Sequence, residues 1–428
     1  MKRRLFFRMM GGIGGGLLCA SSGNRSPSLA DFKKASAAAV EDEKYWKLLR
    51  EQFLLPANYA YFNTGGLGAS PFLVLDTVRK AMIEEETHPS PGYDEHLWEE
   101  IKKKFATFLG ARVKKEEIAF IGSATEGINI ILNGLPFKKG DEIIISSHEH
   151  VALTVPLLNK IKSQGIVIKV FDPHLANGSA NVKLIEKAMN KKTRLVFTSH
   201  VTCTTGQVMP VKEIGELAKS RGVWYALDGA QALAHFPLDL KDIGVDFYAA
   251  SGHKWLLGPK RTGILYVSEH LLDTLKPTTV GAYSTLNFDL DKRRSALHPS
   301  AQRYEYGTQN EALFYGLGEA LDFVNTVGIE RTWEHNRKLA ETFYTALQKI
   351  PGMEILSPLE AAYRSAMISL RVKNFDSSKI CWQFEHQGLR VRSVSEANLD
   401  AIRVSFHIYN NEEESERLLH ELKSLCSV

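Results

Sequence analysis

Two neighbouring stretches decide the fold: "VWYALDGAQA" (Val223–Ala232) and "VDFYAASGHKWLLGPK" (Val245–Lys260). Each opens as an apolar run of strand length and stops in polar residues. The first ends in Asp228 and Gln231, the second in Ser251, His253 and Lys254. A lysine followed by Trp255, Leu256 and Leu257 is unusual, because desolvating an ammonium is costly. Such a lysine either snorkels, laying its stem along apolar surface, or acts as a nucleophile whose lowered pKa lets it form a Schiff base with a carbonyl.

The same pattern extends outward in both directions. Strand-like runs occur at "EIAFIG" (117–122), "DEIIIS" (141–146), "IVIKVF" (166–171), "TRLVFTS" (193–199) and "TGILYV" (262–267). Amphipathic helices fall between most of them. In "VKEIGELAKSRG" (211–222), Val211, Ile214, Leu217 and Ala218 share one face. This alternation predicts an α/β fold with a mostly parallel seven-stranded sheet covered on both sides. Ligands of such sheets bind at the carboxyl ends of the strands. Past residue 280 the texture changes. A long helical region (309–350) leads to short strands, "SAMISLRV" (365–372) and "AIRVSFHI" (401–408), and a last helix from Asn411, which predicts a smaller α+β domain. The expected organisation is a signal over 1–30, an N-terminal arm over 31–66, a large domain over 67–285, and a connecting helix with the small domain over 286–428.

Of the 428 residues, 44% are hydrophobic and 24% charged, an ordinary globular composition. The formal charge of +4 belongs to the N-terminus, where Lys2, Arg3, Arg4, Arg8 and Arg25 stand without an acid before Asp31. Removing these five charges leaves −1, so nothing in the remainder points to nucleic acid. Arg3-Arg4, the Gly-rich apolar run to Ala20 and "SLA" (28–30) resemble a twin-arginine export signal with its cleavage site. The apolar run is too short for a spanning helix, so no stable membrane anchor is expected. Export would make the mature protein periplasmic, beginning near Asp31, with the export machinery as a partner. Beyond the signal, Cys203, Cys381 and Cys426 are too few and scattered for a disulfide framework or a zinc site.

Polar motifs follow the strands in turn. "SATEGIN" (123–129) opens a helix, where backbone N–H groups and a threonine hydroxyl make an anion site. "SHEHVA" (147–152) brings His148, which reads as structural, and His150. "HVTCTTG" (200–206), then Asp228 with Gln231, then Ser251, His253 and Lys254 complete the set. A phosphate cradle, an aromatic base, a buried acid, an amide and a lysine are what pyridoxal 5′-phosphate (PLP) requires. A nucleotide-binding α/β protein would instead need a GxGxxG or GxxxxGK[ST] at the first strand end, and neither is present.

"ALDGAQA" with "SGHK" beginning 20 residues after Gln231 closely resembles the class V aminotransferase group of fold-type I PLP enzymes, and in particular its isopenicillin N epimerase-like members. The resemblance implies that Lys254 carries the cofactor as a Schiff base, that Asp228 pairs with the pyridine nitrogen, that Gln231 reaches the 3′-oxygen, and that His150 stacks on the ring. Ala124, Thr125, Ser251 and His253 would hold the phosphate. Gly307 and Thr308, in "YGTQN", would contact the phosphate of a neighbouring subunit, which implies a homodimer with shared active sites. Arg403, in "AIRVSFHIYNNEEE", matches an arginine that grips a substrate carboxylate bidentately, and Arg392, in "GLRVRSVS", is a second candidate for binding substrate.

Departures from the family pattern also carry expectations. Cysteine desulfurases bear a nucleophilic cysteine on the loop after the arginine matched by Arg392. Here "SVSEANLDA" (393–401) has none, so desulfuration is not expected. Cys203 stands where the family often has an asparagine near the 3′-oxygen, leaving Thr202, Thr204 or Thr205 to replace it. The expected protein is an exported PLP enzyme acting on the amino group of an amino acid or peptide-derived metabolite by transamination, epimerisation or elimination. The alternatives are a tailoring enzyme for the side chain of the siderophore pyoverdine and a PLP-binding sensor or scaffold without turnover.

Overall fold

The computed structural model describes residues 42–89 and 94–426, so the proposed signal and the first part of the arm lie outside the described residues. The seven expected strands all form one sheet: β1 (Ile118–Ile121), β2 (Glu142–Ser146), β3 (Val167–Phe171), β4 (Thr193–Ser199), β5 (Trp224–Asp228), β6 (Phe247–Ser251) and β7 (Gly263–Val267). Their order is β1-β7-β6-β5-β4-β2-β3, and only β7 runs against the others. Successive residues serve opposite faces. Ile143 and Ile145 enter one apolar core, while Ile144 enters the other. Helices cover both faces, which explains why the strands read as unbroken apolar runs rather than alternating ones.

The small domain is an antiparallel sheet of β8 (Met353–Ile355), β9 (Met367–Val372), β10 (Arg392–Val394) and β11 (Ala401–Ser405), in the order β8-β9-β11-β10. The long helical region divides into α1 (Glu311–Val327) and α2 (Ile329–Leu347). Gly328 separates them with φ of +88°, a left-handed value that glycine adopts without a Cβ clash. Phe343, Ile368, Phe384, Val404 and Phe406 build the core of this domain, and Trp255 from the large domain is buried in it.

The arm joins the two domains. Ala60 and Tyr61 pair in parallel with Leu389 and Arg390, and the Ser405 N–H donates to Phe62 O at 2.8 Å. Further on, the Gly68 N–H donates to His253 O at 2.7 Å. A Cβ on Gly68 would lie 2.1 Å from Lys254 O, so only glycine lets the arm approach that loop. Gly68→Ala is expected to lower stability by about 1–3 kcal/mol, as overpacking does. An unchanged thermal midpoint would show that the arm is not seated on Lys254.

Candidate active site

Strands β4, β5 and β6 end side by side, and their register pairs Ser199 with Asp228 and Asp228 with Ala249. Ser199, Asp228 and Ser251 close these strands, and the loops beyond them supply Cys203, Gln231, His253 and Lys254. Together they line a cavity of about 300 Å³. Ala124 and Thr125, at the start of the helix Ala124–Gly134, form another wall, and His150 a third. Arg392 and Arg403 enter from the small domain, and Gly65 and Gly66 from the arm. Gly307 and Thr308 are the two expected residues that do not line it. Their neighbour Tyr306 borders an adjoining cavity that shares Ser123 and Thr125 with the first.

Lys254 faces this cavity with no carboxylate at ion-pair distance among the described residues. Burial lowers its pKa from the ordinary lysine value, while Asp228 pulls the other way. Loss of hydration thus favours the neutral amine, the form that attacks a carbonyl. Asp228 is 5% exposed, and its Oδ1 accepts from Ala230 N–H at 2.9 Å, leaving Oδ2 for a second donor. His150 caps the following helix by accepting from Ala152 N–H at 3.2 Å through Nδ1. Burial, then the charge of Lys254, lowers its pKa, so its ring is neutral.

At the phosphate end, Ser251 Oγ accepts from Ala124 N–H at 2.9 Å, tying β6 to the helix start. His253 Nδ1 is buried without a hydrogen-bond partner among the described residues, and burial takes its pKa down to about 4. Gln231 is more committed than the sequence suggested. Its Nε2 donates to Gly65 O at 2.7 Å, and its Oε1 accepts from Trp255 Nε1–H at 2.9 Å.

Arg403 is 1% exposed. Its Nη1 donates to Cys203 O at 2.6 Å and its Nη2 to Asn63 Oδ1 at 3.4 Å, while Nε has no partner among the described residues. Burial brings its pKa down to about 10. A buried guanidinium with only neutral acceptors lacks a counter-anion, and an incoming carboxylate would supply one. Arg392 is already paired with Glu396.

Several supporting residues went unnoticed in the sequence. Glu149 is fully buried and accepts from Ser146 Oγ at 2.5 Å, Ser199 Oγ at 2.6 Å and Ser199 N–H at 2.9 Å. Burial raises its pKa to about 7 despite those bonds. Trp255 is stacked on His235 at 3.5 Å between ring centroids. His235 accepts from Ala366 N–H through Nε2, and His407 Nε2–H donates to Trp255 O at 3.0 Å. The residue beside Lys254 is thus clamped from both domains. Its signal was the "HKW" tripeptide, but the histidines that clamp it lie far off in sequence.

These residues fit PLP. Among the described residues, His253 Nδ1 and Arg403 Nε lack hydrogen-bond partners, Lys254 lacks a counter-ion, and one Asp228 oxygen remains open. The pocket therefore offers an amine for the aldehyde, a carboxylate for the pyridinium and donors for the phosphate.

Comparison with known proteins agrees. The family model for class V aminotransferases matches residues 79–418. A probable cysteine desulfurase of Methanothermobacter thermautotrophicus is 32% identical over 343 residues, covering 77% of this chain and 84% of that protein. A cysteine desulfurase of Serratia proteamaculans is 30% identical over 384 residues, covering 86% of this chain and 93% of that protein. Among solved structures, the cystine C–S lyase C-DES in complex with its reaction product cysteine persulfide superposes with a TM-score of 0.79 at 27% identity, covering 86% of this chain and 98% of that one. A C-DES variant with glycine covalently linked to the PLP cofactor gives 0.80 at 27%, covering 87% and 98%.

These relatives overturn the expectation that the chain is not a cysteine desulfurase. That exclusion rested on the missing cysteine between Ser393 and Ala401. It assumed that sulfur is reached only from that loop, yet Cys203 also lines the pocket. The fold is fold-type I, the cofactor is PLP, and the chain belongs to the class V aminotransferase family.

Proposed function

We propose that this enzyme breaks the Cβ–Sγ bond of cysteine or of its disulfide, cystine. The observation that carries the reading is a buried, anion-free Arg403 in the same pocket as Lys254 and Asp228. The names of its relatives supply the bond. Bound PLP supplies an electron sink for the pair left at Cα. The rest falls to the chain. Lys254 would anchor the aldehyde and, as a neutral amine, would take the α-proton of the substrate. Asp228 keeps the pyridine nitrogen protonated, and His150 covers the ring face as a neutral imidazole. Gln231 would reach the 3′-oxygen. Ala124, Thr125, Ser251 and His253 hold the phosphate, while Arg403 fixes the substrate carboxylate with Arg392 beside it.

Two products would identify the sulfur acceptor. If Cys203 receives the sulfur, cysteine yields alanine and a persulfide on the enzyme. If the sulfur leaves with the substrate, cystine yields pyruvate, ammonium and cysteine persulfide. Burial pushes the Cys203 thiol up to about 11, which opposes its acting as a thiolate. The test is to supply PLP-loaded enzyme with L-cysteine or L-cystine and assay persulfide, alanine and pyruvate. Absence of all three ends the reading.

We also propose a homodimer in which Gly307 and Thr308 complete a neighbouring subunit's phosphate site. Their placement outside their own pocket, and the exposed Phe288 and Leu290 on the hairpin 285–297, support it. We propose export by the twin-arginine route into the periplasm from Arg3-Arg4, the apolar run to Ala20 and the small residues at 28–30. Changing both arginines to lysine is expected to retain the protein in the cytoplasm. Unchanged periplasmic yield on fractionation would refute that route.

A further inference from the structure

A second carboxyl group lies beneath the pocket floor, and none of the contacts assigned to the cofactor uses it. Glu149 directly precedes His150, the residue assigned to the ring face, yet it is only 5% exposed. Its two oxygens join two strand ends. Oε1 accepts from Ser146 Oγ–H at 2.5 Å, where β2 stops. Oε2 accepts from Ser199 Oγ–H at 2.6 Å and from Ser199 N–H at 2.9 Å, where β4 stops. Ser199 is the register partner of Asp228, and the next N–H, that of His200, donates to Asp228 O at 2.9 Å. One carboxyl group therefore ties the loop of His150 to the strand end that presents Asp228.

Glu149 is also an electrostatic neighbour of Asp228. Burial raises its pKa to about 7, the bonds from the serines pull it back, and the charge of Asp228 adds to the rise. No lysine or arginine pairs with Glu149 among the described residues. Two carboxyl groups so placed resist being ionised together, and a cation beside Asp228 relieves them. The other titratable groups on these elements stay neutral at pH 7 and above its near side. Burial lowers His148 and His150, takes His200 down to about 4, and raises the Tyr225 phenol. Lys254, once bonded to the aldehyde, no longer titrates as an amine. Ser199 lines the cavity, so its hydroxyl gives Glu149 a route for exchanging a proton with it.

We propose that Glu149 is a positioning residue for Asp228, and that its charge sets how tightly Asp228 holds the proton on the pyridine nitrogen of bound PLP. Glu149 itself touches neither substrate nor cofactor. When it is ionised, two negative charges favour the protonated ring. When it is protonated, one charge remains and the hold weakens. The proton that Glu149 gains or loses passes through the Ser199 hydroxyl, which can donate or accept, and no other bond changes. This rests on Asp228 as the partner of the pyridine nitrogen, and not on which bond of the substrate is cleaved.

The test loads the enzyme with PLP isotopically labelled at the pyridine nitrogen and follows that nitrogen's NMR signal across neutrality. In wild type the signal should step as the pH passes through about 7. Glu149→Gln keeps the shape and loses the charge. The step should vanish there, and above neutrality the nitrogen should hold its proton roughly tenfold less tightly, the low end of what a nearby opposite charge supplies. Ser199→Ala removes one bond to the ionised form and should move the step to higher pH. Cofactor-free protein gives a second readout. Folding raises the Glu149 pKa, so its contribution to stability is full below the unfolded carboxyl value and is lost as the pH rises towards about 7. The thermal midpoint of the wild type should therefore fall relative to Glu149→Gln over that interval. The same step in wild type and Glu149→Gln, or none in wild type, overturns the proposal. Where Glu149→Gln fails to fold, an unmoved step in Ser199→Ala does so. An unaltered signal in Asp228→Asn removes Asp228 from the pyridine and the proposal with it. An altered signal there, with the step intact in Glu149→Gln, removes Glu149 alone.

Discussion

Lys254→Ala is expected to abolish the visible absorption of the cofactor-loaded protein and to cut turnover by about 10²- to 10⁴-fold, the usual contribution of a positioned acid–base group. In the wild type, borohydride should fix the cofactor on Lys254, and a peptide map should find it nowhere else. The physical cause is the amine's setting. It is desolvated, it faces the cavity, and it lacks a counter-ion, so its neutral form is favoured without a dedicated base. The same setting makes a second forecast. Removing a buried amine that has no partner among the described residues relieves a folding cost, so the cofactor-free alanine variant should melt at a higher temperature than cofactor-free wild type. Label on another lysine, or near-normal turnover in the variant, would refute the assignment.

Arg403→Ala should lower kcat/KM for carboxylate substrates by about 2–5 kcal/mol, the range for removing one member of a desolvated charge pair. That corresponds to roughly 30- to 5,000-fold. Lysine should not restore it, because a point charge cannot reproduce the guanidinium fork. Some of the loss is structural, since Arg403 also bonds Cys203 O and Asn63 Oδ1. Comparing cysteine with cysteamine separates the parts, because a structural defect would harm both equally. An unchanged ratio of the two in the variant would remove Arg403 from the carboxylate site.

The large domain was legible because its strands are covered on both faces and so read as apolar runs, each ending where a functional residue begins. Asp228, Ser251 and Lys254 could be placed at the pocket from that rule alone. The small-domain side was harder. Arg403 was found through resemblance, but no local pattern pairs Trp255 and Trp333 with the histidines His407 and His235 that meet them across the domains. Those contacts depend on how the domains dock. The hairpin 285–297 was missed because its strands are short and its Phe288 and Leu290 point outward. The exclusion of desulfuration failed for a different reason. The absence of a cysteine from one loop was taken as decisive, although the relatives are cysteine desulfurases and Cys203 had already been read beside the cofactor.

The arm has a consequence for the timing of synthesis. Its residues near 62 and 68 are held by Ser405 near the end of the chain and by the loop at His253. A ribosome adding about 5–20 residues per second needs roughly 8–30 s to travel from Lys254 to Ser405. Through that interval the lysine is already made, while Arg403 and the strand that seats the arm do not yet exist. The cofactor pocket therefore cannot close on a nascent chain. PLP should be captured only after release, and truncation between Val267 and Ser405 should leave a chain that fails to retain it.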